Sequence, residues 1–255
     1  MIRPVPTHRN RRMVALAGSF ALLAPPASAL AAQENDLAAA AAAATASLAV
    51  TPLRIELSAA TAAETVQVQN STDATMAVQI RLFAWTQAGG DDVYAPSGDL
   101  LITPSIIAIP PRQTQLVRVF RKAGEAVGER RYRLVVDQLP DPAKSRPGVA
   151  QTRVRFAIPV FVDRDRAAPA SFAWRVAPGR LEVTNTGGSS ARIVQIAVTK
   201  ADGSKLSIED NALRYVHGAS SISWPITGGC QSGTLRITAQ IDGQTVDAVP
   251  VPACG

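Results

Sequence analysis

The chain has 255 residues, of which 47% are hydrophobic, 18% charged and 5% aromatic, and its formal net charge is +6. This composition is that of an ordinary globular protein with material for one or two cores, and it excludes a disordered chain, a collagen and a disulfide-dense miniprotein. Only two histidines occur, His8 and His217. A His-based metal cluster or a catalytic triad with a His base would therefore have to be built around very few side chains.

Residues 1–31 have the pattern of a secretory signal peptide, with a basic start, an apolar run over residues 13–24 and small residues at 27–31. The apolar run is too short for the roughly 20 residues of a membrane-spanning helix, so we expect export without stable membrane insertion. The segment contains four arginines and no acid, and without it 22 basic residues face 20 acidic ones, a charge of +2. Such a small net charge does not indicate a basic surface that binds nucleic acid.

Residues 32–46 follow as an alanine-rich stretch with seven consecutive alanines at 38–44. The stretch has neither a polar face nor packing periodicity. We interpret it as a leader extension or a flexible arm.

From Leu48 onward the apolar residues alternate with polar ones, and the alternating runs are separated by turn residues. Many short strands without a helical pattern between them indicate an all-β fold. The charged, proline-ended stretch at 164–169 predicts a hinge between two immunoglobulin-like β-sandwich domains, at 47–163 and 170–255. Asp242-Gly243, between two alternating runs, is the strongest hairpin signal.

The two cysteines, Cys230 and Cys254, both fall in the second predicted domain. An exported chain reaches an oxidising compartment, and two cysteines allow one intramolecular pairing. We therefore predict a structural disulfide between them. A redox role is the competing interpretation, but the wide spacing and the absence of a C-x-x-C motif disfavour it.

The sequence contains none of the familiar catalytic, nucleotide-binding or metal-binding motifs that we sought. Its acids are scattered and do not form pairs on common strands. We therefore predict that the protein is not an enzyme and that it has neither a cofactor nor a metal.

The segment from Gln151 to Val162 is the longest alternating run. One parity carries Thr152, Val154, Phe156 and Ile158, and the other carries arginines and Pro159. The simplest interpretation is a half-buried strand of the domain core. An alternative is an edge strand lent to another protein, which Pro159 supports because proline removes a hydrogen-bond donor that a central strand needs.

Five segments, taken in order, carry a resemblance to a known family: Leu48–Leu57, Ile102–Pro104, Gln115–Val119, Tyr132–Pro140 and Phe156–Val162. Together they resemble the PapD-like periplasmic pilus-assembly chaperones of the chaperone–usher pathway, and the similarity covers residues 48–162. The Val-Phe-Val sequence after Pro159, with Arg81–Trp85 and Asp92–Tyr94 upstream, is closest to the archaic branch, which serves subunits related to spore coat protein U.

This resemblance implies two immunoglobulin-like domains in a boomerang arrangement, whose partners are pilus subunits and an outer-membrane usher. The chaperone would bind, fold and cap an incomplete subunit by donating its own strand, and then deliver it to the usher. The donor positions would be Thr152, Val154, Phe156 and Ile158, which would fill the groove of the subunit.

The resemblance also implies an anchor for the C-terminal carboxylate of the subunit. Arg54 matches the arginine of this anchor, and its planar guanidinium suits a carboxylate. The family's lysine position is occupied by Pro159, which cannot replace it. Arg153, Arg155 and Arg164 are the candidate substitutes, and Arg155 is favoured because it shares the parity of Pro159.

Two other functions compete with this one. A secreted immunoglobulin-like adhesin or structural pilus component would keep its strand edges covered and would be found outside the cell. A hydrolase would need a concave site with convergent polar groups, for which His217 is the residue to test.

Overall fold

The computed structural model describes residues 47–122, 128–141, 152–211, 213–228, 230 and 233–253. The predicted signal peptide and arm, at 1–46, lie outside these residues. Ten strands form the first half: β1 (Leu48–Thr51), β2 (Ile55–Leu57), β3 (Ala63–Asn70), β4 (Met76–Ala88), β5 (Asp91–Pro96), β6 (Leu100–Thr103), β7 (Ile106–Ile109), β8 (Thr114–Arg121), β9 (Arg130–Gln138) and β10 (Arg155–Val162).

These strands pack as two sheets. The first sheet has the order β1-β3-β8-β6, and the second has the order β2-β10-β9-β4-β5, with β7 also paired to β4. Buried residues alternate with exposed ones along β3, β4 and β8, so one face of each sheet contributes to a shared core. The core is aliphatic, and its members include Val66, Val78, Leu134 and Val160.

In the second half, the described residues form nine further strands in two more sheets, with the orders β16-β12-β11-β19 and β14-β13-β17-β18 and with β15 on β13. Trp174 and Trp224 stack in its separate core with ring centroids 6.5 Å apart. The strands are β11 (Phe172–Ala177), β12 (Arg180–Asn185), β13 (Ala191–Lys200), β14 (Lys205–Leu206), β15 (Arg214–Val216), β16 (Ser220–Pro225), β17 (Leu235–Ile241), β18 (Gln244–Ala248) and β19 (Val251–Pro252).

The predicted hairpin at Asp242-Gly243 is confirmed. Strands β17 and β18 pair up to Ile241↔Gln244, and both turn residues have positive φ, 48° and 84°. A two-residue hairpin turn of this kind favours Asn or Asp followed by Gly because both residues lie in the left-handed region.

The segment between the two sandwiches is held against the second one. It begins with a 3₁₀ turn at Arg164–Arg166, and the carbonyl of Ala168 accepts bonds from the N–H groups of Gly188 and Ser189 at 3.1 and 2.9 Å. A Cβ on Gly187 would lie 2.0 Å from the carbonyl oxygen of Pro169. Glycine is therefore required there for the two backbones to approach.

Cys230 is disulfide-bonded. Cys254 lies outside the described residues, so the Cys230–Cys254 pairing stays a prediction. Within the described ranges, no helix has the length and apolarity needed to cross a membrane, and no cluster of three or more His, Cys, Asp or Glu side chains is placed to hold a metal ion.

Candidate functional site

One edge of strand β10 is only partly covered. Strand β9 pairs with β10 along its whole length, from Arg155↔Asp137 to Val162↔Arg130, whereas β2 pairs with its last three residues only, starting at Val160↔Ile55. Among the described strands, none covers residues 155–159 on that side. Such an open edge offers unpaired backbone groups to another chain.

The hydrogen-bond alternation identifies these backbone groups. The N–H of Gln138 donates to the carbonyl of Val154 at 3.0 Å, so the even-numbered residues of the strand direct their backbone groups at β9. The N–H and C=O groups of Arg155 and Ala157 consequently point to the open side, where the carbonyl of Ala157 accepts a bond from Nη1 of Arg133 at 3.4 Å. Pro159, which follows in the same alternation, has no N–H to offer there.

The predicted donor side chains differ in depth. Thr152 is exposed and precedes the strand, while Val154 and Phe156 are partly buried and pack against the edge of the first core. Ile158 is only 2% exposed and belongs to that core. Ile158 is thus already packed inside its own sandwich, which makes it the least accessible of the four predicted donor side chains, and its donor role stays a prediction.

The opposite face of the second sheet forms the junction with the second sandwich. Trp85 and Phe161 lie on this face, and Tyr215 from β15 completes a buried aromatic cluster with them. The ring centroids are 5.3 Å apart for Trp85–Tyr215 and 5.8 Å for Phe161–Tyr215. The junction is thus a packed apolar contact surrounded by cations.

Arg54 lies at this junction. Its guanidinium carbon is 4.9 Å from the centre of the Phe161 ring, its Nε donates to Glu56 Oε1 at 2.8 Å, and its Nη1 is 3.7 Å from Asp242 of the second sandwich. About a third of the side chain remains exposed. Arg54 is therefore a positioned and accessible cation, and its role as a carboxylate anchor stays a prediction.

Arg155 is not next to Arg54. Its Nε donates to Asp137, which also accepts a bond from Arg81, and it precedes Pro159 by four residues, about 13 Å along a strand. The preference for Arg155 as the second anchor rested on parity alone. Parity gives a face of the sheet but not the position along the strand, so the structure favours a residue nearer Pro159, and Arg155 as the second anchor stays a prediction.

Arg133 is the residue that the sequence reasoning missed. It lies directly across from Pro159 in the β9–β10 register, with its guanidinium carbon 3.7 Å from the centre of the Trp85 ring. Arg54 precedes Ile55, the partner of Val160, and therefore flanks Pro159 from the other side. By register, an arginine thus lies on each side of Pro159, the position at which the resemblance implies a lysine. The guanidinium of Arg54 itself lies over the Phe161 ring.

Arg164 is near Arg54 but is engaged in a buried ionic network. Its Nη1 is 2.8 Å from Glu129 Oε2, and Arg131 Nε is 2.8 Å from Oε1 of the same carboxylate. Ser190 of the second sandwich donates to Oε1 from its N–H at 2.9 Å and from its hydroxyl at 2.5 Å. Burial raises the pKa of Glu129, but these bonds outweigh it and hold the pKa below its ordinary value.

His217 lies against the aromatic cluster, with its ring 4.2 Å from that of Trp85 and only 1% of the residue exposed. Within the described part of the chain, neither ring nitrogen has a hydrogen-bond partner. Burial lowers the pKa of His217 to about 4, and the nearby Arg131 adds to the effect. Asp92 and Glu129 oppose it, and Arg133 reinforces it.

We expect the junction to lose stability below pH 6.5 because of His217. Since the pKa in the folded state is lower than the ordinary 6.5, the unfolded chain binds the proton more tightly, and stability falls as the pH drops from 6.5 to 4. The free energy of unfolding should fall by roughly 2–3 kcal/mol between pH 7 and pH 4.5. Urea titrations of the chain without residues 1–31 measure this change.

His217→Gln is the matched control, since it retains a polar planar side chain that does not titrate. The variant should show a much flatter profile between pH 7 and pH 4.5. An equally steep decrease in the variant would assign the effect to carboxylates instead.

The architecture described above defines a class of protein, namely a pair of immunoglobulin-like sandwiches with an open strand edge beside an arginine-lined junction. Solved structures share the fold. A chain of the CsuC–CsuE chaperone–tip adhesion subunit pre-assembly complex of archaic Csu pili from Acinetobacter baumannii aligns with a TM-score of 0.62 and 21% identity, over 81% of this chain and 99% of that one.

Two further structures give the same fold. The chaperone DraB of E. coli has a TM-score of 0.57 and 21% identity, over 80% of this chain and 95% of that one. A chain of the SafA pilin–SafB chaperone complex of Salmonella enterica has a TM-score of 0.57 and 17% identity, over 80% and 96%. No curated protein matches the sequence.

The family model confirms what the segments of the first half predicted. Residues 47–166 match the N-terminal domain of PapD, described as a pili and flagellar-assembly chaperone. Residues 47–166 thus form a domain of the PapD N-terminal type, and the resemblance of the first half to the pilus-assembly chaperones is confirmed.

Proposed function

We propose that this protein is a periplasmic chaperone that captures pilus subunits by lending them the open edge of β10. The observation that carries the proposal is the partial pairing of this strand, which leaves residues 155–159 open on one side. A subunit that lacks its last strand exposes a groove whose flanking strands also have unpaired backbone groups. Strand addition would satisfy the backbone groups of both proteins.

The side chains that enter the subunit would be Thr152, Val154 and Phe156. Val154 and Phe156 only partly cover the end of their own core, so a guest could cover the rest. Burial contributes ~25 cal/mol per Å², and an area on the order of 300 Å² would therefore contribute about 7 kcal/mol before entropic costs. This magnitude explains how a client can be held without ATP.

The carboxylate anchor would consist of Arg54 and Arg133. Both face the junction on either side of Pro159, and within the described part of the chain Nε of Arg133 is buried without a hydrogen-bond partner. A guanidinium pair of this kind supplies several charge-assisted donors for one carboxylate. Arg133 would replace the missing lysine.

Substitution of Arg54 tests the anchor. Arg54→Ala should weaken capture of the subunit about 10- to 100-fold, because a hydrogen bond to a charged group contributes roughly 1.5–3 kcal/mol. Titration of the purified chaperone against its subunit measures the effect. Arg118→Ala, an exposed arginine of β8, is the control, and unaltered capture by the Arg54 variant would reject the anchor.

The remaining features of the proposal have two sources. The sequence pattern supports the signal peptide at 1–31 and the Cys230–Cys254 disulfide, and the family supports the periplasmic location, delivery to an outer-membrane usher and an archaic-type client. No catalytic step is needed for any of them.

Periplasmic co-expression with candidate pilus subunits tests the function. We expect a one-to-one complex that protects the subunit from degradation, detected by affinity purification and mass measurement. Recovery of the protein from the cell surface alone, with no bound subunit, would instead favour an immunoglobulin-like adhesin.

A further inference from the structure

A basic surface lies at the beginning of β10, on the face away from the core of the first sandwich. It consists of Arg81, Arg153 and Arg155 and surrounds the single carboxylate of Asp137. A cavity of about 510 Å³ is lined by these residues together with Gln79, Gln138, Leu139 and Val154. We call these three arginines the basic entry surface.

The charge of this surface is not balanced locally. Arg81 and Arg155 both bind Asp137, so two cations share one anion. Burial raises the pKa of Asp137, but the bonds from Arg155 and Arg81 outweigh it and keep the pKa below its ordinary value. Arg153 adds a further charge, and the one acid among the residues that line the cavity, Asp137, already binds Arg81 and Arg155.

The arginines remain accessible while they make these contacts. The Arg155 side chain is 65% exposed and that of Arg81 is 42% exposed, whereas Asp137 is 11% exposed. Arg153 is also exposed. An incoming chain would therefore meet the guanidinium groups before it met the carboxylate.

The register connects this surface to the open edge. Asp137 pairs with Arg155 on β10 and with Gln79 on β4, so Arg155 is the outermost side chain of this row. A strand added to β10 would lie about 4.8 Å beyond it. Every second side chain of the added strand would then stand beside Arg153, Arg155 or Ala157.

We propose that the strand which the client pairs with β10 carries acidic side chains on this outer face, opposite Arg153 and Arg155. This inference rests on the proposed function and adds the chemical class of the client sequence. The other face of the added strand would be apolar and would enter the shared core. Charge would thereby select the client and its register, while apolar burial holds it.

Association kinetics test the inference. The probe is the subunit recovered with the wild-type chain in the co-expression experiment, unfolded in urea and diluted into chaperone at 50 mM and 500 mM NaCl. The paired change Arg153→Glu with Arg155→Glu should slow association at least tenfold at 50 mM. At 500 mM the difference should fall below about threefold, because the Debye length shortens to roughly 4 Å.

Two further variants separate charge from folding. Arg153→Glu combined with Arg155→Gln avoids placing two acids beside Asp137 and should still slow association severalfold. Arg118→Glu with Arg236→Glu reverses two exposed arginines elsewhere, on β8 and β17, and should leave the rate within twofold. Thermal unfolding verifies that each variant is folded.

The results distinguish the inference from the function on which it rests. If both variants of the basic entry surface associate at the wild-type rate, or if their slowing is independent of salt, the inference is wrong. The chaperone function then stands as long as the subunit is still captured. If the wild-type chain captures no subunit at all, both fail together.

Discussion

Replacing Val154 and Phe156 together by Asp should abolish capture of the client. Both side chains would have to enter an apolar groove, and moving an ionised carboxylate into such an environment costs several kcal/mol unless it is paired. We expect the affinity for the subunit to fall at least about 100-fold, which corresponds to roughly 2.7 kcal/mol. Pull-down from the periplasm and titration with purified subunit measure this loss.

The control for this pair is Ile102→Asp with Ile107→Asp. These residues are also partly buried and pack against the same core, but they lie on β6 and β7. The control should lose a similar amount of stability and should still capture the subunit at temperatures where it is folded. Wild-type capture by the Val154 and Phe156 variant would exclude strand donation.

The second large effect concerns the stability of the junction. Removing the Glu129 carboxylate by Glu129→Ala would leave Arg131 and Arg164 without their shared partner, together with the N–H and hydroxyl of Ser190. Breaking a buried ion pair from one side costs about 3–5 kcal/mol. Urea unfolding at pH 7 should show this decrease in the free energy of unfolding.

Asp73→Ala is the comparison variant, because Asp73 pairs with Arg112 on the open surface, where both side chains are more than 60% exposed. Its unfolding midpoint should barely change, since exposed pairs contribute little. An equally small change for Glu129→Ala would mean that the network is not important for holding the sandwiches together.

The sequence predicted the architecture well because alternation and turn chemistry are local signals. The hairpin at Asp242-Gly243 required only two residues and their neighbours. The junction arginine Arg54 could be identified because it belongs to a recognisable segment. These predictions needed no knowledge of which strands pair.

The sequence was least informative where strand pairing decides which side chains lie together. Arg133 lies beside Pro159 only through the register of β9 against β10, which a period of two does not reveal. The same period gives the face of Ile158 but not its depth, and the structure places it in the core. Arg155 shared a face with Pro159 and was nonetheless too far along the strand.

Pro159 has a consequence for any guest. It removes the hydrogen-bond donor immediately before the point where β2 begins to pair at Val160. A client strand that is added to β10 must therefore end there, whatever the sequence of the client. Added strands of different lengths would all end at Pro159, and the extra residues of a longer strand would extend past Arg155. The ring of Pro159 would therefore fix the register of every strand that is added to this edge.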